Sequence, residues 1–228
     1  YRLLLKLGSY YVIYFVKKDA HVPDWIVFSV LFADSLPREL TAILAAGTST
    51  LKFNAYSHFL AGNILIKIIS YVLYASIILH ALDGLVITLK NKKEGAVYKS
   101  DHRGRASKWY SRNMGILGTI ILIFLVIHFQ NFWYVYKFGA TPLDERGNKD
   151  LYVLVIAVFQ QWWYVLIYVL SMIALCYHLI HGIHSAIRTL GLFHPKFVKW
   201  FKILGIGYSV IISLGFAMMP IYIFFTVN

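Results

Sequence analysis

The most regular feature of the sequence is a set of four long apolar segments separated by shorter polar stretches. The segments comprise residues 64–89, 114–136, 151–187 and 203–227, and each holds 18 or more largely uncharged residues. At about 1.5 Å per helical residue, each segment is long enough to cross the hydrocarbon core of a bilayer. The pattern therefore predicts an all-α fold, an integral membrane helical bundle.

The first fifty residues fit this pattern less well. Two apolar runs, residues 3–16 and 25–36, are separated by a charged stretch that contains a proline. Neither run alone reaches a spanning length. We expect one further helix within residues 1–50, which gives about five transmembrane helices in a single domain that covers residues 1–228.

Basic residues are distributed unevenly among the polar stretches. Residues 90–112 hold eight Lys and Arg against two acids, residues 188–202 hold four with no acid, and residues 137–150 are balanced. By the positive-inside rule the first two stretches are cytoplasmic and the third lies outside, with a cytoplasmic N-terminus. Because this rule also explains the net charge of +12, a nucleic-acid partner is not expected.

Three of the apolar segments carry a histidine deep inside, at His80, His128 and His178. An ionisable side chain within a membrane is costly and suggests a function, although a single one is more often an interhelical hydrogen-bond contact. Three on separate helices favour haem, whose iron takes imidazole ligands from different helices. These three residues are the metal-ligand candidates, and the predicted protein is a haem-carrying membrane subunit.

The depth of each histidine follows from its distance to the nearest loop. His80 and His178 each lie ten residues before a basic cytoplasmic stretch, so both are about 15 Å from that boundary and suit a shared haem. His128 lies nine residues before the opposite boundary, at a second, outer level without a visible partner. Two stacked haems would form an electron path across the membrane.

Polar side chains near the two ends of the segments supply further candidates. Haem propionates require cations at the cytoplasmic end, for which ordinary interfacial polarity is the alternative explanation. A quinone requires hydrogen-bond donors at the outer end, where an interfacial role explains the same residues equally well. The propionate candidates are Lys108, Arg112, His181 and His184, and the quinone candidates are Asn54, His58, Asn63 and Lys67.

Four stretches, taken together, are similar to one protein family. They are residues 53–59 (FNAYSHF), 79–84 (LHALDG), 111–118 (SRNMGILG) running into His128, and 177–191, which begins YHLIHG and ends TLG. Over about residues 53–228 the chain resembles the haem-binding membrane subunit of succinate:quinone oxidoreductases, that is, succinate dehydrogenase and fumarate reductase. The resemblance is to the single-chain, five-helix, two-haem type.

This resemblance implies a cytochrome b subunit that anchors a respiratory-chain and tricarboxylic acid cycle enzyme to the membrane. Dicarboxylate catalysis would take place in a flavoprotein (FAD) subunit and electrons would pass through an iron–sulfur subunit, both on the cytoplasmic side, so no catalytic residue is expected here. Two haem b groups are implied, the inner ligated by His80 and His178 and the outer by His128 with a first-helix histidine. The resemblance also implies quinone, with menaquinone as the expected type, and the bacterial cytoplasmic (inner) membrane.

The first helix is where the chain departs from this family. His21 lies in a charged, proline-containing stretch, and no histidine interrupts residues 25–36. One hypothesis is that residues 17–46 were translated in the wrong frame, because shifted codons permit a family-like helix with a histidine near its outer end. The alternative is a diverged N-terminus with an empty or differently ligated outer site. Peptide mass spectra covering residues 17–46 as written would exclude the frame shift.

Other functions compatible with the sequence come from different classes. A proton channel or transporter would use the buried histidines as relays and would be colourless. A pure anchor would position catalytic subunits without haem and leave three buried histidines without a role. A third alternative is a haem subunit of another respiratory complex, such as a hydrogenase. Only the resemblance described above argues against it.

Overall fold

The computed structural model describes residues 50–95, 108–191 and 194–227. The predicted first helix, His21 and residues 17–46 lie outside the described residues. Within them the chain forms eight α-helices and one π-helical turn. They are α1 (Thr50–Gly62), α2 (Ile64–Gly95), α3 (Trp109–Arg112), α4 (Met114–His128), the π-helical turn (Phe129–Tyr134), α5 (Val135–Phe138), α6 (Leu151–Phe159), α7 (Trp162–Thr189) and α8 (Val198–Thr226).

Four helical stretches are long and apolar enough to cross a membrane. They are Ile64–Lys93, Met114–Phe138, Trp162–Thr189 and Val198–Thr226. The second stretch runs without a break from α4 through the π-helical turn into α5. These spans confirm the predicted all-α membrane bundle, because a helix that is apolar on every side is stable only in lipid or in a large core.

The alternation of the spans places residues 139–150 at one end of the bundle and residues 190–191 and 194–197 at the other. We call these the outer end and the inner end, after the predicted orientation. The central helix is α7, which packs along both α4 and α8, while α2 packs against α4. Near the outer end, side chains from α1, α6, α7 and α8 form a common core that includes Phe53, Phe159, Tyr164, Tyr168 and Ile223.

The apolar segment 151–187 is not one helix, in contrast to the sequence prediction. It is divided into α6 and α7 at Gln160 and Gln161. The Gln160 side chain donates a hydrogen bond to the Ile223 carbonyl of α8 at 3.4 Å, and the Gln161 carbonyl accepts from Tyr164 N at 2.9 Å as α7 begins. Of these two helices, only α7 is long enough to span the membrane, because α6 has nine residues.

Residues 53–60, which precede the first long apolar segment, belong to helix α1. This helix buries Phe53 and Leu60, and Phe53 packs edge-on against Tyr152 of α6 with ring centroids 6.0 Å apart. One residue, Asn63, separates α1 from α2. Its side-chain oxygen accepts a hydrogen bond from Leu65 N at 2.9 Å, which satisfies a backbone donor that the start of α2 leaves open.

A hydrogen-bonded turn forms the outer loop before α6. The Asp144 carboxylate accepts hydrogen bonds from Asn148 N at 2.8 Å and Arg146 N at 2.9 Å. Desolvation alone would raise the pKa of Asp144, but these backbone donors outweigh it and hold the pKa below its ordinary value of 3.8. The carboxylate therefore stabilises the turn while it is ionised.

Candidate functional site

The structure brings His80 of α2 and His178 of α7 together. Their imidazole ring centroids are 5.8 Å apart and the ring planes are nearly perpendicular, at 86°. Both side chains are half-buried. Two histidines separated by almost one hundred residues thus lie beside each other in the apolar interior.

This spacing fits two imidazoles that share one metal ion. With metal–nitrogen bonds of about 2 Å on opposite sides of the metal, the two ring centres lie about 6 Å apart. On α4, a Cβ added at Gly118 would be 3.7 Å from His178 Cε1. A glycine at this position keeps α4 from filling the space beside the ring. The residues present therefore fit a haem iron held by His80 and His178.

Cationic side chains gather at the inner end of α7. Lys108, His181, Arg188 and Lys202 all act electrostatically on His184. The His184 Nε2 atom is buried and makes no hydrogen bond within the described part of the chain. Such a group attracts anions, and a haem propionate or a lipid phosphate has the required charge.

Aromatic contacts fix the short helix α3 against α7 at this end. Tyr110 stacks on Tyr177 with ring centroids 5.9 Å apart, and Trp109 meets the same ring edge-on at 6.1 Å. The Lys108 ammonium lies 5.7 Å from the centre of the Tyr110 ring. These contacts hold α3, and with it Lys108, beside Tyr177, the residue that directly precedes His178. Arg112 ends the same short helix and is exposed.

His128 lies at a different level of the bundle. Gly118 marks the level of His178 on α4, and His128 follows ten residues later, about 15 Å further along the helix axis. Its imidazole Nδ1 is 2.8 Å from the Tyr168 hydroxyl. Phe124 and Phe132 lie against the ring, with centroids 5.8 and 5.2 Å away. The structure thus gives His128 its own aromatic surroundings, apart from the His80–His178 pair.

Two of the four quinone candidates make structural contacts. The fully buried Asn54 donates a hydrogen bond to Asp150 Oδ1 at 2.9 Å and accepts one from Tyr152 N at 3.1 Å. Asn63 caps the start of α2. His58 is exposed and Lys67 is half-buried. Asn54 therefore links α1 to α6, and within residues 50–95, 108–191 and 194–227 no contact assigns these four residues to one pocket.

The sequence interpretation missed a polar chain that leads away from His128. Tyr168 hydrogen-bonds to Tyr164. The Asn131 amide nitrogen donates to the Tyr164 hydroxyl and to the Ile127 carbonyl, the latter at 3.0 Å. A polar amide in an apolar segment and two tyrosines four residues apart, on one helix face, were the available signals.

Taken together, the described residues contain a pair of adjacent histidines nearer the inner end and a histidine hydrogen-bonded to a tyrosine nearer the outer end. Either arrangement suits a buried redox group or a buried proton-carrying group. No family model, no curated protein and no solved structure matches the chain.

Proposed function

We propose that the protein is the haem b-containing membrane subunit of a succinate dehydrogenase or fumarate reductase, which carries electrons between an iron–sulfur subunit and membrane quinone. The observation that supports this most strongly is the pairing of His80 with His178, at a 5.8 Å centroid spacing inside an apolar bundle. Both imidazoles of such a pair would ligate one haem iron. The sequence resemblance favours succinate dehydrogenase or fumarate reductase over other respiratory complexes.

The chain's own residues would hold the cofactor and exclude water from it. His80 and His178 would supply the ligating imidazole nitrogens, and the surrounding apolar spans would limit the access of water. The cations around His184 would offset the negative charge of the haem propionates at the inner end. When bound, haem supplies one-electron transfer, which side chains of the protein cannot provide.

His128 is the proposed ligand of a second, outer haem. Its separation of about 15 Å along α4 from the level of His178 supports two cofactors rather than one. The first-helix histidine that the resemblance implies as its partner lies outside the described residues. Electrons would then cross the bundle between the two levels and reach quinone at the outer end, with menaquinone as the proposed type.

The proposed partners are a flavoprotein subunit with FAD and an iron–sulfur subunit at the inner, cytoplasmic end. The basic stretches 90–112 and 188–202 support this choice, because they offer a charged surface to a soluble partner. In this assembly the catalytic dicarboxylate site belongs to the flavoprotein. A bacterial cytoplasmic membrane is the proposed location.

A second candidate function is supported by the polar chain beside His128. Hydrogen bonds connect His128, Tyr168, Tyr164 and Asn131, and a histidine-relay proton channel or transporter would use such a chain. This candidate gives the His80–His178 pair no cofactor. It therefore predicts a colourless protein.

A haem count separates the two functions. The full complex, extracted gently from its native membrane, is examined by reduced-minus-oxidised spectra and a pyridine haemochrome assay. We expect two b-type haems per chain, together with succinate-dependent quinone reduction. One haem would restrict the proposal to the His80–His178 site. Protein without haem would overturn it and support the proton channel or transporter.

A further inference from the structure

The hydroxyl group of Tyr168 is the hydrogen-bond partner of His128. It lies 2.8 Å from Nδ1 of the imidazole. Tyr168 is only 5% exposed and Tyr164 only 4%. A buried hydroxyl without a partner is costly in an apolar interior, and this chain of hydrogen bonds avoids that cost.

The packing around Tyr168 leaves its hydroxyl little freedom of position. The Phe124 ring meets the Tyr168 ring edge-on at 4.7 Å, and Phe159 does so at 4.9 Å. The two phenylalanines come from two different helices, α4 and α6. The ring is therefore clamped, and the hydroxyl is a fixed reference point for the imidazole.

The far end of the chain is anchored by Asn131 in the π-helical turn. A π-helical turn widens the helix locally and often marks a functional position. Asn131 donates one amide hydrogen to the Ile127 carbonyl at 3.0 Å and the other to the Tyr164 hydroxyl. Both N–H donors of the amide are used. They fix the position of the Tyr164 hydroxyl and, through its hydrogen bond, that of the Tyr168 hydroxyl.

The hydrogen bond with Tyr168 determines which ring nitrogen of His128 is available to a metal. Nδ1 is occupied by Tyr168, which leaves only Nε2 for a ligand. A neutral imidazole that binds metal through Nε2 carries its proton on Nδ1 and donates it to an oxygen. Metal-bound histidines nearly always make such a hydrogen bond, which orients the ring and raises the basicity of the ligating nitrogen.

We propose that Tyr168 is the positioning residue of His128, because its hydroxyl accepts a hydrogen bond from Nδ1–H, fixes the tautomer and leaves Nε2 as the nitrogen that would ligate the outer haem iron. This inference rests on the proposed function, since it concerns a ligand of that haem. Tyr164 and Asn131 support it by holding the tyrosine hydroxyl in place. A more basic imidazole favours ferric over ferrous iron, so the contact lowers the reduction potential of the outer haem.

The test is the Tyr168→Phe variant, compared with wild type by redox titration of the full complex. The substitution removes one oxygen atom and retains the ring and its packing. We expect the potential of one haem to rise while the other keeps its wild-type value. A tenfold loss of preference for the ferric state corresponds to a rise of 59 mV for a one-electron couple. Retention of the outer haem during dilution should weaken by about 10–100-fold.

Two further variants complete the design. Tyr222→Phe removes an exposed hydroxyl of α8 and should leave both potentials unchanged. Tyr164→Phe retains the Tyr168 hydroxyl but removes its supporting partner, so it should raise the same potential by less. It also serves as the test if Tyr168→Phe does not accumulate.

The outcomes separate this inference from the proposed function. Wild-type protein without haem contradicts the proposed function itself. If wild type holds two haems, but Tyr168→Phe and Tyr164→Phe match Tyr222→Phe in potential and in the low-temperature EPR spectrum of each haem, Tyr168 does not position a ligand. The same conclusion follows if His128→Ala retains both haems, because His128 then ligates neither.

Discussion

Replacing Gly205 by alanine tests the closest approach between α7 and α8. A Cβ added at Gly205 would lie 2.6 Å from Cγ2 of Ile183 and 3.5 Å from its Cβ. Ordinary carbon–carbon contacts begin near about 3.5 Å, so the two groups must separate by about 1 Å. Ile183 cannot easily rotate away, because a β-branched side chain in a helix has one strongly preferred χ1 rotamer. The strain must be relieved by a shift of the helices.

The magnitude is obtained by comparison with Gly207→Ala on the same helix. An added Cβ at Gly207 meets nothing within 4 Å, so that variant changes only the backbone and helix-propensity terms. These terms are common to both substitutions and cancel in the difference. Overpacking a well-packed contact costs about 1–3 kcal/mol, and Gly205→Ala should be less stable than Gly207→Ala by this amount.

The assay is unfolding of the two variants in mixed micelles with increasing SDS, followed by circular dichroism. Haem content, measured in the same samples, reports whether the shift of α7 reaches His178, five residues before Ile183. Equal unfolding midpoints for the two variants would contradict the close packing of α7 on α8. A more stable Gly205→Ala would contradict it more strongly.

Two further predictions concern the outer end. Asn54→Ala should destabilise the protein by about 1–3 kcal/mol, because it leaves the Tyr152 N–H without its partner, and SDS unfolding measures this directly. An unchanged midpoint would contradict the role of Asn54 as the link between α1 and α6. The turn at Asp144 should loosen as pH falls below 3.8, because its pKa is lowered in the folded protein and its stabilising charge is lost on protonation. The protection factor of the Asn148 amide against hydrogen exchange should fall with this acid dependence in wild type and not in Asp144→Asn.

The four membrane spans of the described chain could be predicted because they depend on local composition. The length of each apolar segment identifies the four spans. The Lys and Arg content of the loops predicts which ends of the spans lie on the same side of the membrane. The depth of His80 and His178 followed from the same counting, and the structure places the two rings side by side. Depth is proportional to residue number along a helix, so a sequence contains this information directly.

Tertiary contacts were less accessible from the sequence. The division between α6 and α7 depends on a hydrogen bond from Gln160 to Ile223, 63 residues away, while hydropathy continues across the break. Asn54 resembled an interfacial donor, but its partner Asp150 is 96 residues away. The contact between Tyr168 and His128 requires a particular rotation of α4 against α7, which periodicity does not determine.

The central claim is that His80 and His178 hold the same haem, and parallel haem analysis of two variants tests it most directly. His80→Ala and His178→Ala are purified in the full complex beside His58→Ala, which replaces an exposed histidine of α1. Each sample is examined by pyridine haemochrome assay and redox titration. We predict that both site variants lose one haem and that the same redox component disappears from each, while His58→Ala retains the wild-type count. Loss of different components, or full haem content in either site variant, would contradict the shared site.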